Sequence, residues 1–517
     1  MPPTPRDSLT QADIADIRAS GRDPDRVELQ WAALRETRQP TPVLRPATLG
    51  DGISRLEDHD RADLRRRHEE ACQAGRVSSF VPASGSGTRM FRSLLQLHRD
   101  QETDLDGVRL RASRGDADAK DALVVLENIG RFAVWPALEA RGCSPQSVGQ
   151  VLDCLFGPGG LPYHEWPKGL IPFHVYDDGV RSAFAEHLYE AAHMVADGRP
   201  AEHGHVARHC DAHFTIGEPH RESFERARDA EVARIEHAVG VRCRVAFSAQ
   251  LPATDTIATD HRGTIRRDEA GHIAFHPGGH GALLDNLGRL SGDVVLIKNI
   301  DNIARRDITE RIVDVRRMIS GLLLRLEDQV HVALRHLRTG GDARAAINVL
   351  DGTFGIRSSV PLLDDESRRR YAEFQLDRPI RVCGVVSALD HAGGRPFWVD
   401  TPDRGPTLQI VEGAEINLTD SGSRELFHRS HHFNPVDIAC SLRDANGDPF
   451  DLDRFAVRDR ALIASKVLAG TPSRIYEHPG LWNGAMGLWN TAFVEVPDFT
   501  FNPVKSLADL WAPGHRP

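Results

Sequence analysis

The sequence predicts a layered α/β protein built on a mainly parallel sheet. Three observations predict it. From residue 77 onward, apolar runs of strand length alternate with amphipathic stretches of helix length. Glycine-rich turns stand where strand-like runs pass into helix-like ones. The chain has 517 residues, 40% hydrophobic and 27% charged, which suits a globular protein with a sizeable core.

The elements follow in order. Residues 1–76 form a helical N-terminal region, in which Ser8 caps a helix near Gln11 and RADLRRRHEEACQAG forms another. TRQPTPVLRPATLGDG, with three prolines, reads as a connecting loop. Residues 77–306 form the α/β domain, with strands in RVSSFVPA, GLIPFHVY, AHFTIG, RVAFSAQ and DVVLIKNI. RSAFAEHLYEAAHMVADG and GALLDNLGRLSG are helices between them, and about 101–160 is a helical insertion. A helical connector, 307–380, opens with one long helix to about 338. Ile308, Ile312, Val315, Ile319, Leu322, Leu326, Val330 and Leu337 make a core-facing stripe along it. Residues 381–517 form a C-terminal α+β domain, with strands in RVCGVVSAL, PFWVD, TLQIVEG and AFVEVP.

The formal charge is 64 − 74 = −10. That balance argues against nucleic acid as a partner, which calls for a basic face, but leaves room for a local basic pocket. Seven dispersed cysteines without a C-x-x-C pair suggest reduced thiols. No run approaches the ~20 apolar residues of a membrane span, and the N-terminus lacks an apolar signal core. The expectation is a cytoplasmic protein that engages no membrane.

Five segments carry candidate chemistry. In VPASGSGTRMF, residues 81–91, the turn Ser84, Gly85, Ser86, Gly87, Thr88 lies between a strand and a helix-spaced run. Its glycines let an anion approach backbone N–H groups, and Arg89 adds a fixed charge that forks onto phosphate oxygens. The plainer reading is a tight turn with surface hydroxyls. In WPKGLIPFH, Lys168 is placed either to reach a phosphate as a point charge or simply to be solvated. In RVAFSAQLPATDTIATD, Gln250 is a candidate for a base or sugar edge, and Asp255 and Asp260 are turn residues or metal ligands. HPGGHGALLDNL repeats the glycine-loop device with Gly278, Gly279, His280 and Gly281. In DVVLIKNIDNI, Asp301 at a strand's carboxyl end is placed to hold Mg²⁺ on bridging phosphates, flanked by Asn299 and Asn302.

Two C-terminal clusters remain. His428, His431, His432 and Asp437 read as a metal site or as histidines of caps and turns. WNGAMGLWNTAFVEVP, with Trp482, Asn483, Trp489 and Asn490, reads as a packed hairpin or helix end, or as an acceptor pocket that stacks a sugar ring.

Taken in order, AxGxGTR, PKG, QxP, PGGHGALL and NIDN resemble the UDP-sugar pyrophosphorylase branch of the sugar nucleotidyltransferases, over residues 77–303. Nearly the whole chain also resembles an uncharacterised bacterial family, a numbered domain of unknown function, through FVPASGSGTRMF, PKGLIPFH, HFNPVDIAC, PGLWNGAMGLWNTAFVEVP and TFNPVK. The first resemblance implies a GT-A/Rossmann-like nucleotidyltransferase domain and a reaction between a nucleoside triphosphate and a sugar-1-phosphate or similar phosphorylated alcohol. It implies that the Gly85–Arg89 loop wraps the triphosphate and that Arg89 and Lys168 neutralise charge at the α-phosphorus. It further implies that Gln250 and the Gly278–Gly281 loop read the base or sugar, and that Asp301 positions Mg²⁺. One departure is Ser84, which stands where those enzymes usually have the first of two adjacent glycines. Two other functions compete. A GT-A-type glycosyltransferase should carry a D-x-D after a strand, whereas Asp104–Asp106 and Asp116–Asp118 fall in helical or loop stretches. A non-catalytic nucleotide or sugar-binding protein would keep the fold and lose the chemistry.

Overall fold

The computed structural model of the chain describes residues 9–36, 39–196, 208–358, 361–387, 393–401, 404–468 and 470–516. They form two compact units, each assembled from three separate stretches of chain. The first unit contains 1–67, 250–296 and 319–496; the second contains 68–249, 297–318 and 497–517. Three elements carry the chain from one to the other, the helix Arg61–Gln73, the wholly buried strand Val294–Lys298 and the helix Arg306–Arg338.

The second unit holds the sheet that the opening motif predicts. Val77–Pro82, His209–Thr215 and Arg242–Ser248 run parallel, with Pro82 opposite Thr215 and Thr215 opposite Ser248. Their carboxyl ends therefore lie side by side. The connection between the first two strands contains the expected helices, Leu105–Ser113, Ala117–Asn128, Trp135–Glu139 and Val148–Phe156. Asp104 and Asp116, the leading residues of the two D-x-D patterns, are N-caps of the first two. Each carboxylate accepts backbone N–H bonds, which accounts for the pattern without a metal. The Pro172–Tyr176 segment is a strand as expected, but it pairs with Gly179–Ser182 in a hairpin of its own. Helix Ala183–Val195 is buried nearly all round. Its Phe184 packs on Phe214 (ring centroids 4.7 Å apart), Phe224 and Phe247 to make an aromatic core beneath the parallel strands.

In the first unit, Ile380–Ser387 is flanked by Asn490–Glu495 (parallel) and Asp437–Ser441 (antiparallel). Gly52–Arg55 adds to the Asn490–Glu495 side in parallel. A second, three-stranded sheet orders Val43–Pro46, Arg395–Thr401 and Gly405–Val411. A third orders Phe275–His276, Thr256–Thr259, Thr471–Glu477 and Leu462–Leu468. The helices Gln11–Ala19 and Pro24–Arg35 bury Ile17, Val27, Trp31 and Leu34 against Ile257, Ile265 and Tyr476.

Several sequence expectations need correction. The N-terminal region is not wholly helical: Val43–Pro46 and Thr48–Leu49 are strands inside the stretch expected to be a loop, and Gly52–Arg55 is a strand that begins at its end. Thr48–Leu49 pairs with Gly52–Ile53 close by, but Val43–Pro46 and Ile53–Arg55 find their other partners hundreds of residues downstream, in Arg395–Thr401 and Asn490–Glu495, so no local pattern announces them. Ser8 lies outside the described residues; Thr10 caps the first helix, in a capping box with Asp13. GALLDNLGRLSG forms only a 3₁₀ turn, His280–Leu283, and a short helix, Leu284–Gly288. The thiols are not all free, because Cys143 and Cys154 form a disulfide within the helical insertion. Among the described residues, no helix is long and apolar enough to cross a membrane.

Candidate functional site

The loop after Val77–Pro82 is held at both ends and open in the middle. Ala83 N–H donates to Thr215 O (2.8 Å), and Gly87 N–H donates to Trp166 O (2.8 Å). Lys168 N–H donates to Gly85 O (2.8 Å), so Ser86 and Pro167 form an antiparallel bridge. Thr88 Oγ1 donates to His164 O (2.9 Å), and Ser86 Oγ accepts from Thr88 N–H (3.1 Å). Between these anchors, Ser84, Gly85, Ser86 and Arg89 are exposed. Their backbone N–H groups meet no acceptor among the described residues, and neither does the Arg89 guanidinium. The arrangement is a set of outward donors at the carboxyl end of a parallel strand, which is where anions are received in open α/β sheets.

The two glycines of this loop differ in kind. A Cβ at Gly85 would meet nothing within 4 Å, whereas one at Gly87 would lie 2.5 Å from Ile171 Cδ1 and 2.9 Å from two backbone carbonyl oxygens. Gly85 is open to a ligand. Gly87 is required by the close passage of the 163–167 backbone.

Lys168 is neither a surface lysine nor a free cation. It is 6% exposed; its Nζ donates to Val504 O (2.8 Å) and pairs with Asp301 Oδ1 at 2.7 Å. Val504 N–H in turn donates to Asp301 O (2.8 Å). Asn302 is buried and grips the same C-terminal segment: its Nδ2 donates to Thr500 O (3.3 Å), and its Oδ1 accepts from Asn502 N–H (2.8 Å). Asn299 turns the chain, accepting Asn302 N–H on its carbonyl (3.0 Å). So Lys168 and Asp301 are brought together, and both are joined to the Gly85 backbone through the main chain of Lys168.

This turn is anchored by a buried ionic cluster that the sequence reading did not single out. Glu190 accepts from Lys298 Nζ and from an Arg316 guanidinium N–H, both at 2.6 Å, and is 1% exposed. Burial alone would raise its carboxyl, but Lys298 and Arg316 outweigh burial and hold it at about 2. His187, pushed down to about 3 by burial and then by Lys298, is neutral and donates Nε2–H to Ile300 O (3.3 Å). A second buried chain lies in the same unit. His174 joins Glu186 through Nδ1 (2.8 Å) and His515 through Nε2 (2.9 Å), and His515 Nε2–H donates to Asn502 O (3.2 Å). Thr215, wholly buried at the end of its strand, has a hydroxyl without a partner.

The remaining candidates belong to the first unit, where most of their polar atoms are engaged within the protein, while the buried Asn483 Oδ1 and Trp489 Nε1 have no hydrogen-bond partner among the described residues. Gln250 Nε2 donates to Asp255 Oδ1 (3.1 Å), and Asp255 also pairs with Arg22 (2.6 Å). Asp260 accepts from Arg262 and Thr264 N–H (2.8 and 3.0 Å), which makes it a turn residue. A Cβ at Gly278 would lie 2.5 Å from His478, and one at Gly281 would lie 2.0 Å from Pro479 O. Those glycines are explained by chain packing. Gly279 has φ 77°, which favours glycine by itself. His280 stacks on Trp482 (4.5 Å) and accepts Leu481 N–H on Nδ1 (3.1 Å). Asn483 is fully buried and donates to Glu415 (3.1 Å). This segment is a packed 3₁₀ turn, Gly484–Met486, leading into Asn490–Glu495.

The described residues contain no group of three or more His, Cys, Asp or Glu able to hold a metal. Within the histidine cluster, His432 is buried and meets Glu495 (3.2 Å). Asp301 offers a single carboxylate with one oxygen on Lys168 and a quarter of its side chain exposed. Such a donor fits a Mg²⁺ held mostly by substrate phosphates and water, and does not fit an all-protein cage.

The chain is thus an α/β protein of two units, one of which presents an outward donor loop at a parallel strand's end. It belongs to the family described as a domain of unknown function, DUF4301, whose model matches residues 10–516. No curated protein matches it. Solved structures similar to it include the UDP-N-acetylglucosamine pyrophosphorylase of Trypanosoma brucei, at 15% identity and TM-score 0.49, covering 97% of this chain and 78% of that one. Another is a UDP-glucose pyrophosphorylase mutant of Leishmania major in complex with UDP-glucose, at 14% identity and TM-score 0.45, covering 98% and 79%. With identities of 15% or less and TM-scores under 0.5, these likenesses bear on neither substrate nor mechanism.

Proposed function

We propose that the protein is a nucleotidyltransferase of the pyrophosphorylase type, which couples a nucleoside triphosphate to a sugar-1-phosphate or similar phosphorylated alcohol and releases pyrophosphate. The observation that carries this reading is the Ser84–Arg89 loop, with unpartnered outward amides and guanidinium, tied by the Lys168 backbone to the Lys168–Asp301 pair. A phosphate oxygen of the acceptor attacks the α-phosphorus in line. The bond from that phosphorus to the β-phosphate bridging oxygen breaks, and pyrophosphate leaves with the electron pair. The loop amides and Arg89 bind the triphosphate and meet the negative charge that gathers on its oxygens. Lys168 supplies a second, fixed positive charge. Such a reaction requires positioning and charge stabilisation and no side-chain nucleophile. Asp301 would contribute one oxygen to Mg²⁺, which supplies charge neutralisation on the phosphates when bound.

Release of pyrophosphate from a panel of nucleoside triphosphates and sugar-1-phosphates tests the reading. Turnover with one pair supports it; no turnover with any pair, together with no nucleotide protection against heat, rejects it. One observation favours a second reading, a nucleotide- or sugar-binding protein without chemistry: two acceptors already engage the Lys168 ammonium. Nucleotide protection without turnover would select that reading.

A further inference from the structure

The first unit buries arginines without carboxylate partners. Arg404 is 2% exposed, and its guanidinium donates only to neutral acceptors: Gln375 Oε1 (2.7 Å), Leu488 O (2.8 Å) and Asn490 Oδ1 (2.7 Å). Arg378 is 6% exposed and donates to Phe374 O (2.9 Å) and to the same Leu488 O (3.2 Å). Two cations therefore converge on one carbonyl. The charges around them do not balance. Arg338 pairs with both nearby carboxylates, Glu373 (2.9 Å) and one oxygen of Asp377 (2.8 Å), so among the described residues three guanidinium groups face two acids, and the other Asp377 oxygen is buried without a partner. Asp351, near Tyr371, is paired with Arg357.

The same place has donors to spare. Helix Asp365–Leu376 sets Tyr371 and Gln375 four residues apart, on one face. Gln375 is fully buried, and because its Oε1 accepts from Arg404, its other end is the NH₂ group. That Nε2 is buried with no acceptor, and so is the Tyr371 hydroxyl. The Gln375 carbonyl is occupied by Asn490 Nδ2 (2.9 Å). Burial drives Arg404 well below the ordinary arginine range, and Arg378 to about 10, so the uncompensated charge is costly. A water molecule could accept from such donors, yet it would bring two O–H donors and no charge to a place where three guanidinium groups face two acids.

We propose that the cluster of Arg404, Arg378, Gln375 and Tyr371 binds a small monovalent inorganic anion of the halide class. The ion restores charge balance and accepts from Gln375 Nε2–H, the Tyr371 hydroxyl and the unspent guanidinium N–H groups. This site is independent of the nucleotidyltransferase reading.

Thermal unfolding of the full chain tests it, in sodium chloride and sodium bromide against sodium gluconate at matched ionic strength. The wild-type protein is expected to show a saturable rise of roughly 2–4 °C with either halide and none with gluconate. Gln375→Glu places a permanent negative charge beside Arg404. It should remove the halide response and make the halide-free protein melt near the halide-saturated wild type. Tyr371→Phe removes one donor and should move the midpoint of the rise to several-fold higher halide. Equal melting in chloride and gluconate would mean that only water is present and would overturn the proposal. An unchanged halide response in Gln375→Glu would place the ion elsewhere and overturn it too. Should Gln375→Glu fail to fold, an unshifted midpoint in Tyr371→Phe has the same force.

Discussion

Glu190→Gln removes an anion that pairs with two buried cations, Lys298 and Arg316. Two routes give its cost. The carboxyl falls from its ordinary 4.5 to about 2, and each unit is worth about 1.4 kcal/mol, so the ionised form is favoured by roughly 3 kcal/mol. Independently, breaking a buried pair by deleting one partner costs about 3–5 kcal/mol. The sign follows from the depressed value. The contribution is fully present above about pH 4.5 and is lost as pH falls toward 2, because the unfolded chain takes up the proton first. Urea unfolding at neutral pH should therefore show the variant destabilised by about 3 kcal/mol or more. The gap between the two proteins should narrow as pH drops from 4.5 to 2. Hydrogen exchange in peptides covering Ala183–Val195 and Val294–Lys298 should rise in the variant, because those elements bear the pair. Equal unfolding midpoints at neutral pH, or a gap that stays constant into acid, would refute the argument.

Three further outcomes are expected. Arg89→Ala should leave stability within about 0.5 kcal/mol, since the side chain is exposed and unpartnered. It should abolish nucleotide protection in a thermal-shift assay and lower pyrophosphate release by roughly 10²-fold or more. Lys168→Met should lower activity as well, and should also cost about 1–3 kcal/mol of stability in a urea melt, because Asp301 and Val504 O lose their donor. Gly87→Ala should destabilise the second unit by about 1–3 kcal/mol through overpacking. Gly85→Ala, open on every side, should fold like the wild type and weaken nucleotide binding alone, as read by melting with and without ligand. His68, His187 and His515 are pushed by burial from 6.5 to about 4, 3 and 3. Each is neutral when folded and takes a proton when unfolded. Stability should therefore fall as pH drops below about 6.5, by up to about 1.4 kcal/mol per pH unit per histidine, in chemical denaturation across that range.

What the sequence made legible was local. RVSSFVP reads as a strand because its pattern is local, and it is one. The stripe from Ile312 to Leu337 reads as a core face because 3.6-residue periodicity needs no partner to be seen, and those residues are buried. The turn after Val77–Pro82 is legible for the same reason, since glycines and hydroxyls between a strand and a helix announce a bend. Glycine, however, does not announce its purpose. Gly85 and Gly87 look alike in sequence, and only the nearby Trp166 and Tyr163 carbonyls distinguish them. The Lys168–Val504 contact joins residues 336 apart, and Ile53–Arg55 pair with Phe493–Glu495; no window of sequence contains both halves. Glu190 and Lys298 lie within a helix-like and a strand-like segment, whose patterns do not mark them out. A charge that interrupts a buried-type run, as Lys298 does in DVVLIK, is the signal that could have found them.

The bond from Lys168 to Val504 also has a consequence in time. A ribosome makes the donor loop well before the 497–517 stretch that completes its surroundings, since 336 residues separate Lys168 from Val504. Until then, Lys168 and Asp301 lack the backbone that fastens them together. Nascent chains should thus stay incompetent in this unit until the 497–517 stretch has emerged, and its arrival should be the maturation step.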